Sequence, residues 1–296
     1  MSIIPLRYTI KVYGEGLTEW FYFDKLKQLN RFQFTLEPQI PQASRSSYKQ
    51  NLKLIDKELN KRNQERADAI FLVIDIDTFR NNSKLYNEYL QIKRKYELKG
   101  VTFIESYPCI ELWILYHLLN KYGRTNCKTY DQLLPRILDV LPGYEKTKDY
   151  YRRNKQFNEA IIQSKANRSK AISYAVKSCN YTPVDKQDIC NYTELYRPIQ
   201  LLRLLQKFSE FRSILMEHYQ GKLQFVHHIA DLATMTISFL QQHSQNNYNE
   251  FCTWKYSGAT LTCTFPNGQS YVVDDNIPLS KEMPIINTSI QVIGVL

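Results

Sequence analysis

Three acids in the amino-terminal part of the chain, Glu15, Asp75 and Asp77, have the type and placement needed to hold a divalent cation. Glu15 lies in a Gly14-Glu15-Gly16 turn directly after the segment RYTIKVY, and Asp75-Ile76-Asp77 closes the apolar run AIFLVI. The first segment alternates polar and apolar residues and reads as a strand; the second is continuously apolar, as a central strand covered on both faces would be. Alternate residues of a strand point the same way, so the two aspartates of the D-x-D can converge on one ion. In open α/β sheets ligands bind beyond the carboxyl ends of the strands, where all three acids would sit. Clustered carboxylates repel unless a cation neutralises them. Their hard oxygens suit Mg2+ or Mn2+, ions that activate water for attack on a phosphodiester. The competing reading of D-x-D is a pair of aspartates capping the next turn.

Other residues add to this centre or stand beside it. Glu111, one turn into an apolar helix after Pro108, offers a second metal position or orients a water; equally, it stabilises the helix N-terminus through the dipole. Glu105 closes a strand and by the same strand-end argument faces the same crevice. Lys146, in the sequence GYEK, suits the stabilisation of charge building on a phosphate, against the alternative of a surface lysine. Glu19 belongs either to the site or to the first helical turn, where acids are favourable anyway. His117 follows an apolar helix face and reads as a core or helix-end histidine, and the neighbouring His227 and His228 point about 100° apart on a helix, so they read as structural.

These side chains need a scaffold, and the hydrophobic pattern supplies one. Strands are predicted over residues 7–13, 34–40, 69–74 and 101–105, and helices from Thr18-Glu19, over 49–64, over 84–98 and after Pro108. Strand and helix alternate, which argues for an α/β sheet with helices on its faces. From residue 122 the pattern is helical, over 130–141, 149–164, 168–178, 188–205 and 225–243. Short β-rich runs follow at 250–256, 260–265 and 270–273, with Pro266-Asn267-Gly268 as a hairpin turn and one more candidate strand at 290–296. The expected organisation is an α/β domain over 1–121, a helical basic region over 122–245 packed on or inserted beside it, and a small β-rich unit over 246–296.

Charge is unevenly spread. Between Lys146 and Lys177 nine basic residues face two acids, Asp149 and Glu159, a net of +7 within a chain whose total is +10. Such a segment attracts phosphate backbones through counterion release. Arg152, Arg153, Lys165, Arg168 and Lys170 are the expected contacts to a nucleic-acid backbone; the alternative is a solvated helix face. From Lys222 onward three lysines meet five acids, which argues against the carboxyl-terminal unit as the nucleic-acid surface. The six cysteines form no C-x-x-C pair and read as free buried thiols, with no zinc site. The first residues, MSIIPLRYTIKVYGEG, lack a basic stretch leading into an apolar one, and no run of about 18 apolar residues occurs. A cytoplasmic protein that does not enter the membrane is expected.

Four motifs in order then carry a resemblance: GEGLTE at 14–19 with Tyr22-Phe23 after it, DID at 75–77, ESYPCIELW at 105–113 with His117 following, and GYEK at 143–146. Together they resemble the RloB-like family of phage-defence and abortive-infection proteins, within the Toprim group. The resemblance covers roughly residues 8–178; Tyr107 stands where the family's usual form has Asn, and Thr78 where further acids often follow. It implies a Rossmann-like Toprim fold, with a mainly parallel sheet and helices on both faces. Glu15 would be the Toprim glutamate, a general acid/base or metal ligand, and Asp75 and Asp77 the metal-binding aspartates. Relatives in that group cut, rejoin or prime nucleic acids, and related defence proteins act as nucleases under a partner ATPase. The expected function is therefore a Mg2+- or Mn2+-dependent nuclease on DNA or RNA, tRNA included, with an AAA- or ABC-type ATPase and a homo-oligomer as candidate assemblies. The alternative is a catalytically degenerate module that binds nucleic acid, nucleotide or a phage protein.

Overall fold

The structure, a computed structural model, describes residues 10–32, 34–39, 48–62, 65–67, 69–181, 190–199 and 202, and further on 247–248, 252–257, 260–264 and 270–273. Its first part alternates strand and helix: β1 (Ile10–Tyr13), α1 (Leu17–Asn30), β2 (Thr35–Glu37), α2 (Tyr48–Leu59), β3 (Ala69–Asp75), the short α3 (Asp77–Arg80), α4 (Ser83–Glu97), β4 (Val101–Tyr107) and α5 (Glu111–Leu118). The chain then runs through α6 (Tyr130–Val140), α7 (Lys148–Arg153), a π-helical segment (Phe157–Gln163) and α8 (Lys165–Cys179) before returning as β5 (Tyr192–Thr193). The sheet order is β2-β1-β3-β4-β5. Its first three pairings are parallel and β5 is antiparallel to β4. The α/β architecture with a mainly parallel sheet is thus as expected.

Strand parity divides the interior in two. Ala69, Phe71 and Val73 of β3, with Ile10, Val12 and Ile104, pack under α1, α5, α6, α7 and α8. Ile70, Leu72 and Ile74 of β3, with Tyr13, Val101 and Phe103, pack against α2 and α4. Helices therefore cover both faces, which is why β3 is apolar throughout. Asp75 shares the parity of Phe71 and Val73, so it emerges on the α1–α5 side. Glu105 shares the parity of Phe103 and emerges on the α2–α4 side.

Local signals explain the helix boundaries. Asn82, Thr129, Thr147 and Ser164 each accept backbone N–H bonds at the start of α4, α6, α7 and α8. Gly100, at φ +86°, turns the chain from α4 into β4 in a conformation that side chains disfavour. The helix expected over 149–164 is broken: α7 ends at Arg153, and Asn154 Oδ1 caps the Phe157 N–H at the start of the π-helical segment.

The carboxyl-terminal strands β6 (Asn247–Tyr248), β7 (Cys252–Ser257), β8 (Thr260–Thr264) and β9 (Ser270–Val273) form an antiparallel sheet in sequence order. The helix expected over 188–205 is corrected: Tyr192–Thr193 is the edge strand β5, paired with Ser106 and Tyr107, and only 196–199 and 202 of the described residues there are helical. The helix expected over 225–243, with His227 and His228, the turn at 266–268 and the strand at 290–296 lie outside the described residues. Among the described residues no helix is long and apolar enough to cross a membrane.

Candidate metal centre

The centre forms where α1, β3, α5 and the loop after α6 meet. Glu111 opens α5 and is fully buried, with 0% of its surface exposed. Its Oε1 accepts hydrogen bonds from Thr18 Oγ1 and Tyr144 OH, each at 2.9 Å, and an ion pair from Lys146 Nζ, also at 2.9 Å. Its Oε2 is buried and no hydrogen bond of ordinary geometry reaches it. Tyr151 OH lies 2.6 Å from Thr18 Oγ1 and 2.8 Å from Tyr144 OH, closing a ring of hydroxyls around one carboxylate oxygen.

Asp75 ends β3 and its Oδ1 accepts the Ile110 N–H at 2.8 Å, which ties the strand end to the start of α5. Cys109, 2% exposed, stands between the two. One ligand atom each from Asp75, Cys109 and Glu111 lie within 4.8 Å of one another, a spacing that can hold a metal ion.

Glu19 lies in the same neighbourhood, and its place is set by the glycine turn. Gly16 is the N-cap of α1 and Glu19 its third residue, so the carboxylate folds back onto the Gly16 N–H, as the glutamate of a capping box does. A Cβ on Gly16 would come within 2.8 Å of Glu19 Oε2, and one on Gly14 within 3.0 Å of Glu19 Cβ. The two glycines thus leave room for a buried acid.

The electrostatics follow from the crowding. Burial, and then the charges of Glu19 and Glu111, hold Asp75 well above the usual carboxylate range, against the pull of Lys146. Burial and the charge of Glu111 raise Glu19 to about 7. Burial would raise Glu111 too, but the Lys146 charge and hydrogen bonds from Cys109, Lys146 and Thr18 outweigh it and hold this carboxyl below its ordinary value. Burial would lower Lys146; Glu111, Cys109 and Asp75 outweigh it and raise the ammonium. Burial, Glu111 and Asp75 keep the Cys109 thiol protonated well above its usual range. Two buried acids, Glu19 and Glu111, and the half-buried Asp75 thus share one ammonium, so protons hold the place that a divalent cation would take.

The other expected site residues are placed as follows. Glu15 is half-buried in the turn, and its negative charge is felt at both Asp75 and Tyr48. Asp77 is not brought to the same ion by strand alternation: β3 stops at Asp75, Ile76 turns at ψ 11°, and Asp77 is the first residue of α3. Its Oδ1 accepts the Thr78 N–H and hydroxyl, the turn-capping role. Glu105 is also a correction. It accepts Tyr89 OH, Lys93 Nζ and Tyr192 OH on the opposite face of the sheet, because its parity puts it there.

Among the basic residues, Arg152, Arg153 and Lys165 are exposed and Lys170 is half-buried. Arg168 is buried at 1% exposure and donates to the Ile162 carbonyl, so it supports the π-helical segment and is not presented to a phosphate backbone. His117 is fully buried, with Nδ1 2.8 Å from the Trp113 carbonyl, and burial lowers it to about 3, so it is neutral and structural.

Three participants were not legible as such. Cys109 read as one of several isolated thiols, although the spacing C-x-E at a helix start was a signal. Tyr144 and Tyr151 gave none, because only the fold brings their hydroxyls to Thr18.

A family model described as RloB-like protein matches residues 10–202, well over half of the chain and all of the elements that build the centre. No curated protein and no solved structure matches.

Proposed function

The chain belongs to the RloB-like family, and from that premise we propose that it is a divalent-metal-dependent nuclease acting in antiviral defence. The observation that carries this reading is the buried Glu111 oxygen that no hydrogen bond of ordinary geometry reaches, clustered with Asp75 and Cys109 where acids outnumber cations. The donor set fits Mg2+ or Mn2+ through its carboxylate oxygens. A divalent ion held there would supply Lewis-acid catalysis at a phosphodiester.

The chain's own residues divide the remaining work. Asp75 and Glu111 hold the ion, while Thr18, Tyr144 and Tyr151 fix the Glu111 rotamer. Glu19, poised to titrate at about 7, takes or returns a proton at the reacting water. Lys146 reaches the same carboxylate from a partly exposed loop and is placed to stabilise charge on a phosphate oxygen. Glu15 acts on Asp75 through its charge from the turn after β1, and Asp77 caps the turn after β3. Arg152, Arg153, Lys165 and Lys170 contact the backbone of DNA or RNA, tRNA included. A cytoplasmic setting, a homo-oligomer and control by a partner ATPase complete the proposal.

A second reading, a catalytically silent module that binds nucleic acid or a phage protein, is favoured by one feature. The Lys146–Glu111 pair already neutralises part of the charge that a metal would.

Purified protein incubated with Mn2+ or Mg2+ and plasmid, single-stranded DNA, total RNA and tRNA tests the two. Cutting by the wild type is expected, with Asp75→Asn and Glu111→Gln each lowering the rate by about 100-fold or more. Full activity in both variants would overturn the site assignment. Nucleic-acid binding by a wild type that neither cuts nor binds metal by calorimetry would select the second reading.

A further inference from the structure

We propose that Cys109 is a direct ligand of this centre and makes it prefer a transition-metal dication, such as Mn2+ or Co2+, over Mg2+. The inference rests on the metal reading above and goes beyond it by naming the ligand that sets selectivity. Cys109 occupies a position that most buried cysteines do not. An ordinary buried thiol behaves as a small hydrophobe among apolar neighbours. This one lies between two carboxylates, with the Asp75 and Glu111 oxygens within 4.8 Å of its sulfur.

The surrounding bonds leave the three atoms for an ion. Glu111 Oε1 already receives Thr18, Tyr144 and Lys146, and the Cys109 thiol leans on the same carboxylate, a contact in which an ion bound by both groups would replace the thiol proton. One Asp75 oxygen is engaged by the Ile110 N–H. Cys109 directly precedes Ile110, so that backbone bond holds the thiol and the aspartate together. That contact anchors the backbone next to Cys109 beside Asp75.

Ligand softness then decides the ion. Mg2+ takes hard oxygen donors and parts reluctantly with its waters. A thiolate favours transition-metal ions, and a coordinated thiol gives up its proton to solvent on binding. The two carboxylate oxygens alone suit Mg2+ and Mn2+ alike; the added sulfur shifts the set toward the ions that accept a thiolate more readily, Mn2+ and Co2+.

The full-length chain is titrated with Mn2+ and Mg2+ by calorimetry, and with Co2+ by absorption, as wild type and Cys109→Ser. The wild type is expected to show the near-ultraviolet thiolate-to-cobalt charge-transfer band. In Cys109→Ser that band is lost and the preference for Mn2+ over Mg2+ falls by about tenfold or more. Co2+ bound by the wild type without the band, or an unchanged ion preference in the serine variant, would overturn the role of Cys109 and leave the carboxylate centre standing. Failure of the wild type to bind any of the three ions would remove both readings together. The band is read on the wild type, so the test holds even if the variant misfolds.

Discussion

Glu19 combines two roles that are usually separate: it closes the first turn of α1 and carries charge into the metal centre. The residue is 4% exposed, and its carboxyl is raised to about 7 in the folded chain against 4.5 for a free side chain. A raised carboxyl stabilises the fold fully below the unfolded value, and that stability is lost as pH rises through the folded one. In chelator, the chain is therefore expected to weaken between pH 5 and pH 8, with Glu19 contributing up to ~3 kcal/mol, at about 1.4 kcal/mol per unit. Glu19→Gln keeps an oxygen for the Gly16 N–H and removes the charge. Urea unfolding at the two pH values should show the fall reduced by that amount, while the raised Asp75 leaves a remainder. An unchanged pH profile in Glu19→Gln would show that the acid is not buried against its neighbours as described. Saturating Mn2+ should flatten the wild-type profile, since a cation relieves the repulsion that raises both acids. The sequence left Glu19 between the site and the helix start because both readings call for an acid at that position. Asp75 and Glu111 were legible from strand end and helix start. Cys109 was not, because the proximity of a sulfur and two carboxylates is a tertiary fact.

At the scale of elements, strand parity decides which acids meet. β3 was legible because a strand covered on both faces is apolar at every position, and its alternation sends Asp75 toward α1 and α5. The same alternation fails for Asp77, since the strand ends two residues earlier and α3 begins there. It also separates Glu105 from the centre, which a strand-end argument without parity does not reveal. Glu105 instead binds Lys93 Nζ at 2.6 Å together with two tyrosine hydroxyls, and its N–H donates to Glu194, which pairs with Arg197. This network joins α4, β4 and the returning edge strand β5. Removing its central carboxylate leaves Lys93 and the hydroxyls of Tyr89 and Tyr192 without that acceptor in a largely buried setting. Glu105→Ala is therefore expected to cost about 3–5 kcal/mol of stability, measured by chemical unfolding, while the folded fraction retains Mn2+ affinity. Lost metal binding in a variant that stays folded would place Glu105 in the centre after all. The break between α7 and the π-helical segment was not legible, because 149–164 carries no proline or glycine and the capping Asn154 also occurs inside helices.

For the whole molecule the question is how charge of one sign reaches a centre of the other. The acids of the candidate centre lie beside α7, whose outer surface is basic: it buries Tyr151 toward Thr18 and exposes Arg152 and Arg153. On the proposed function, a phosphate backbone drawn to those arginines would lie one helix away from the carboxylates. Net charge alone would attract nucleic acid to any basic face, so the test compares two faces. The doubly substituted Arg152→Ala/Arg153→Ala chain and an Arg94→Ala/Lys95→Ala chain, altered on exposed residues of α4 across the sheet, lose the same charge. Each phosphate contact contributes about 0.9 to the slope of log affinity against log salt. The α7 variant is expected to reduce that slope by about two and to weaken binding evenly across sequences, and the α4 variant to leave the slope nearly unchanged. Equal reductions in the two variants would mean that attraction is diffuse and that α7 does not guide the backbone. A loss confined to the α7 variant ties the basic helices to the centre beneath them, since no substitution there touches a side chain of the carboxylate cluster.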